Sequence, residues 1–176
     1  MTVRSIIEDF AKNGLRKYPD VSQRLKEEGR QIRAVPSPHD EIAAELAKFA
    51  DHPCSEFTRT WISESRMISW IMAAQNHPSP KYLESLCKIL ECDANLIWHE
   101  GIVDILYDLK DERSISSLEK ALTYNFSYDP TNELGVKVFD TLYHINIEKA
   151  REISKNYLKS SSPNLRRSAN LIFRKG

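Results

Sequence analysis

The chain has 176 residues, 41% hydrophobic and 28% charged, a composition that supports a globular core and excludes a wholly disordered chain. The 25 basic side chains balance the 25 acidic ones, which excludes a protein that coats nucleic acid through bulk charge. No apolar run approaches the roughly 18 residues of a membrane span, and the opening MTVRSIIEDFAKNG carries acids inside its apolar stretch, unlike a secretory leader.

In chain order, helical spacing dominates, and no run alternates with the period of two that a strand requires. The pattern predicts an all-α chain of about ten helices in five antiparallel pairs. The first pair spans about 2–17 and 20–33, with Val3, Ile6, Ile7, Phe10 and Ala11 on one apolar face. Its second helix has only Val21, Leu25 and Ile32 as apolar anchors and reads as largely exposed. The second pair is about 39–50 and 55–76, the third 80–90 and 95–109, the fourth 112–123 and 131–145, and the fifth 147–159 and 163–174. Ser-Pro steps at Ser37-Pro38, Ser79-Pro80 and Ser162-Pro163 mark helix starts, because serine caps a helix and proline suits its first position. The tract FSYDPTN, ending at Asn132, gives the fourth pair a longer turn. No stretch reads as an interdomain linker, so 1–176 is expected to form a single domain.

A weak internal repeat accompanies the pairing. Leu83, Leu86, Ile89 and Leu90 parallel Ile115, Leu118, Ala121 and Leu122, while Leu106-Tyr107 and Leu109 parallel Leu142-Tyr143 and Ile145. A looser third copy follows at Ala150, Ile153, Tyr157 and Leu158. The last unit, SSSPNLRRSANLIF, has a polar turn, the step Leu165-Arg166, the small residue Ala169 and the apolar pair Leu171-Ile172. With these features the segment 80–176 resembles HEAT-like repeats, the α-solenoid units built from antiparallel helix pairs. In the third unit Ile97-Trp98 stands where a branched residue and an arginine are usual, and Gly101 takes a small-residue position. The resemblance implies an α-solenoid, with 37–176 forming four HEAT-like pairs and 1–36 an N-terminal pair or cap. It also implies protein binding or scaffolding as the activity.

Helix geometry names the free faces of such an array. In 95–109, Trp98, Ile102, Ile105, Leu106 and Leu109 share one side. Glu100, Asp104 and Asp108, spaced four apart, form an acidic stripe on the other, with Asp111 just beyond. In 131–145 the polar stripe is Glu133, Lys137, Asp140 and His144. In 55–76, Arg59, Ser63, Arg66 and Trp70 share the polar side, where a tryptophan reads as an interface anchor. In a HEAT-like array these second helices line the concave face. The expected partner-binding residues are therefore Arg59, Arg66, Trp70, Glu100, Asp104, Asp108, Asp111, Glu133, Lys137, Asp140 and His144. Charge is also uneven along the chain: residues 1–33 carry net +3, 34–145 net −9 and 146–176 net +6. An acidic middle steers a basic protein and repels phosphate.

The search for chemistry ends without a converging site. His99-Glu100 begins like a zinc-protease motif, but Val103 stands at the second histidine position. His52 and Cys54 lack further ligands at metal spacing, and no GxSxG, P-loop or GxGxxG occurs. No catalytic residue, metal or cofactor is expected. Cys54, Cys87 and Cys92 are odd in number, form no CxxC pair and read as free thiols, which favours the cytoplasm. The expected function is non-catalytic protein binding, in the form of a small immunity protein that neutralises a cognate toxin, most simply a basic nuclease. Two alternatives stand beside it. One is a scaffold or chaperone-like adaptor resembling bilin lyase-type HEAT-like proteins, with a ligand groove near Trp61, Trp70 and Trp98. The other is a nucleic-acid-binding solenoid, which needs a basic concave face.

Overall fold

A computed structural model describes residues 2–17, 20–51, 61–93 and 98–174, with side chains assigned except at 14–17, 21 and 61–65. Among the described residues the chain is all-helical, with ten α-helices and no strand. In chain order they are α1 (Val3–Lys17), α2 (Val21–Arg33), α3 (His39–Ala50), α4 (Trp61–Asn76), α5 (Leu83–Leu90), α6 (His99–Leu109), α7 (Ile115–Ala121), α8 (Glu133–Ile145), α9 (Ile147–Ser154) and α10 (Pro163–Arg174).

Helix starts follow from short polar side chains. Asp20 accepts the Gln23 N–H at 3.0 Å to open α2, and Asn146 accepts the Lys149 N–H at 3.0 Å to open α9. At α8 the capping group is more remote. Asp129, buried in the FSYDPTN turn, accepts the Glu133 and Leu134 N–H groups at 2.8 and 3.0 Å, and Asn132 takes a left-handed backbone to complete the turn. Helix α1 borrows its cap from another element: the Glu41 carboxylate of α3 accepts the Val3 and Arg4 N–H groups at 3.1 and 3.0 Å. Arg4 also pairs with Glu45, one turn further along α3.

Packing runs in sequence. Helix α1 lies on α2, α3 contacts α4 and α5, α5 contacts α6 and α7, α7 contacts α8, and α8 contacts α9 and α10. Further contacts join α4 with α6, α6 with α8 and α8 with α10. One hydrophobic cluster runs through these contacts from Val3 to Ile172. Two close approaches depend on glycine: a Cβ at Gly135 would collide with Leu165, and one at Gly101 would enter the Trp98 ring.

Several expectations are corrected. The helices predicted at 80–90 and 112–123 each begin with a 3₁₀ turn, Pro80–Tyr82 and Glu112–Ser114, and the helix predicted at 147–159 gives way to one at Lys155–Tyr157. In the first two, Ser79 and Asp111 cap the turn by accepting the N–H two residues on, at 3.3 and 3.0 Å, and short 3₁₀ turns are frequent at helix N-termini. Leu171, read as one of an apolar pair with Ile172, is 55% exposed, since Leu165, Ala169 and Ile172 form the buried stripe of α10. The cysteines differ as well. Cys87 is a half-buried free thiol, pushed upward in pKa chiefly by burial. Cys92 is in a disulfide and buried in the turn that closes α5, where its carbonyl accepts a hydrogen bond from His99 Nε2 at 2.7 Å. Cysteine usage therefore no longer argues for a reducing compartment. Cys54 and His52 lie outside the described residues.

Candidate binding groove

The polar stripes of α6 and α8 converge because these helices are direct neighbours and α10 lies beside α8. Between the three runs a groove of about 520 Å³, lined by Trp98, Glu100, Asp104, Glu133, Val136, Lys137, Phe139, Asp140, Tyr143, Ser168, Leu171 and Ile172. Its volume falls within the range of about 300–1,000 Å³ typical of ligand sites. Apolar side chains form much of the floor, and four carboxylates face a single lysine, for a net charge of −3.

The carboxylates differ in what holds them. Lys137 Nζ lies 2.7 Å from Asp104 Oδ1 and 2.9 Å from Oδ2, and Gln75 on α4 donates to the same Oδ2 at 3.2 Å. Asp104 thus ties α6 to both α8 and α4. Glu133 accepts from Asn164 Nδ2 of α10 at 3.3 Å, which braces the far wall. Asp140 is exposed at the rim, 3.5 Å from His144 Nδ1.

Five of the predicted site residues, Glu100, Asp104, Glu133, Lys137 and Asp140, meet in this groove. The others do not. Trp70 is 3% exposed and belongs to the core, because α4 is covered by α1, α2, α3 and α6. Arg66 is exposed beside α2, at a small cavity it shares with Arg24, Glu28 and Ser69. Asp111 caps the 3₁₀ turn and pairs with Arg113, which holds its carboxyl below the ordinary range. Asp108 is exposed outside the groove, and His144 stacks at a tilt on Tyr107, ring centres 4.7 Å apart. Arg59 lies outside the described residues.

The residues that the polar stripes did not reveal are the floor and rim, namely Trp98, Val136, Phe139, Tyr143 and Leu171. The apolar character of α8 was visible in the sequence. The exposure of Leu171 was not, because it depends on how α10 rotates to seat Leu165 against Gly135. The small cavity under α2 holds a different feature. Glu28 is 1% exposed, its carboxylate oxygens make no hydrogen bond of good geometry, and burial raises its pKa against the opposing pull of Ser69 and Arg24. Among the described residues no group of three His, Cys, Asp or Glu side chains is placed to hold a metal ion, and no helix is long and apolar enough to cross a membrane. No family model, curated protein or solved structure matches the chain.

Proposed function

We propose that this chain is a non-catalytic protein-binding α-solenoid of HEAT-like helix pairs, acting as an immunity protein that neutralises a cognate toxin with a basic surface, most simply a nuclease. The observation that carries the reading is the groove: four carboxylates against one lysine over an apolar floor, on neighbouring second helices. Such a surface attracts the phosphate-binding face of a nuclease and rejects phosphate itself, and its field speeds the encounter. The consecutive contacts of α4, α6, α8 and α10 support the array reading. The cytoplasmic placement drawn from cysteine usage plays no part, given the disulfide at Cys92.

One observation favours the adaptor reading as an alternative. Trp98 lines a groove of ligand-binding size, although Trp70 is enclosed and Trp61 lacks a described side chain. The nucleic-acid reading loses ground because the groove is acidic. The deciding experiment is an affinity pull-down from native extract, followed by a toxicity assay of the retained protein. A stoichiometric, basic, toxic partner neutralised by the chain is the expected result. Recovery of a pigment or of nucleic acid, or of several weak partners, overturns the inhibitor reading.

A further inference from the structure

The groove already contains one cation, and it belongs to the protein itself. Lys137 covers both oxygens of Asp104, yet its side chain is 44% exposed and that of Asp104 42%. The pair is therefore wet, weakly held and open to exchange. Three further carboxylates, Glu100, Glu133 and Asp140, line the same groove with no second lysine or arginine among them. Added positive charge is favoured there, and the existing ion pair marks a position where a cation is already accepted.

The surroundings discriminate between kinds of cation. Trp98 and Tyr143 line the groove as half-buried rings, and a planar guanidinium stacks on an aromatic face as well as forking onto a carboxylate. An ammonium is a point charge and does neither so well. Leu171, on the α10 side, offers an exposed apolar contact for the methylene stem or for an apolar neighbour. The geometry points to an arginine on an amphipathic segment of a basic protein partner as the occupant of this groove, its guanidinium displacing Lys137 from Asp104. Lys137 is then an internal competitor that lowers affinity for the partner. The inference rests on the groove being the partner surface and deepens that reading by naming what enters it.

The test uses the full chain and two synthetic amphipathic helical peptides, one with a single arginine among leucines and its twin with citrulline, the neutral isostere, in that place. Titration calorimetry is expected to show the arginine peptide binding about fivefold tighter than the citrulline twin. Lys137→Met should tighten the arginine peptide about two- to fivefold and leave the twin unchanged. Asp104→Asn should erase both differences. A lysine that merely props α6 against α8 predicts the opposite, weaker binding of both peptides by Lys137→Met; Lys137→Gln repeats the comparison if the methionine variant folds poorly. Equal affinity of the two peptides, no binding of either, or unchanged or weaker arginine binding by Lys137→Met overturns the inference. The toxin assay separates the two layers. Neutralisation of a captured toxin alongside indifferent peptides removes the arginine chemistry and keeps the inhibitor. Responsive peptides with no toxin neutralised do the reverse.

Discussion

Helices α4 and α8 differ in what lies over them: α4 is covered by α1, α2, α3 and α6, whereas α8 keeps a wet face between α6 and α10. The N-terminal pair makes the difference. It lies over α4, where Ile6, Ile7, Phe10 and Ile32 join the core with Met67, Trp70 and Ile71. The same covering traps Glu28 out of water. At α8 the outer polar stripe stays in solvent, and the groove is what remains. Whether a further layer covers the helix thus decides between closed core and open surface.

The largest expected effect tests that division at Trp70. A 3% exposed tryptophan in a core costs about 3–5 kcal/mol when cut to alanine. Denaturant unfolding of Trp70→Ala should show this loss, while the folded fraction keeps its partner affinity. Unchanged stability with weakened binding would return Trp70 to the surface. Asp129→Ala comes next, at about 2 kcal/mol, because the α8 start loses two backbone partners in a buried turn. Its loss should fray the groove wall, seen as faster amide exchange at Glu133 and Leu134.

Glu28 tests the closed region with the opposite sign. Below its ordinary value of 4.5 the carboxyl is protonated in both folded and unfolded chains, and no charge is buried. As pH rises, the unfolded chain releases the proton first, because burial raises the folded pKa. The folded state then holds more protons, and stability falls until the raised pKa is passed. Glu28→Gln removes this dependence. It should stabilise the chain by about 1–2 kcal/mol at neutral pH, and the two unfolding curves should converge below pH 4.5. A neutral-pH loss of stability would show that Arg24 and Ser69 more than compensate for burial.

What the sequence made legible follows the same boundary. The helices could be read because their apolar stripes are local, as at Ile42 and Leu46, and because the Ser-Pro steps stand beside their starts, Ser162 accepting the Leu165 N–H at α10, although at α3 the cap position falls on Pro38 and not on Ser37. The acidic stripe at Glu100 and Asp104 was legible for the same reason. Two exposures that the sequence left unread both depend on covering. Trp70 reads as exposed from its own helix, since α1 and α2, more than thirty residues away in sequence, supply the layer that buries it. Leu171 stands in an apolar pair with Ile172, and nothing local to α10 reports that Leu165 fills the contact with Gly135 and leaves Leu171 outside. The cap of α1 by Glu41 was invisible on the same grounds, because it joins residues 38 positions apart. Periodicity specifies which face of a helix is apolar, and the partner helix determines whether that face, or its opposite, meets water.

The smallest expected effect separates the groove from its rim. Asp108 continues the α6 stripe of Glu100 and Asp104 but is exposed outside the groove, whereas Asp104 lies inside it and bonds Lys137 and Gln75. Asp108→Lys should leave stability within about 0.5 kcal/mol. A charge at that position acts on a partner through screened solvent, over a Debye length of about 8 Å at physiological salt. It therefore biases the approach of a basic protein and contributes little once the complex has formed. Stopped-flow association should slow by less than about threefold, more at low salt than at high, while the dissociation rate stays fixed. Asp104→Lys, tested beside it, should change dissociation as well, because it places a second ammonium against Lys137 in the groove. Equal effects on dissociation from the two reversals would mean that the partner covers the whole α6 stripe and that the groove is only part of a flatter interface.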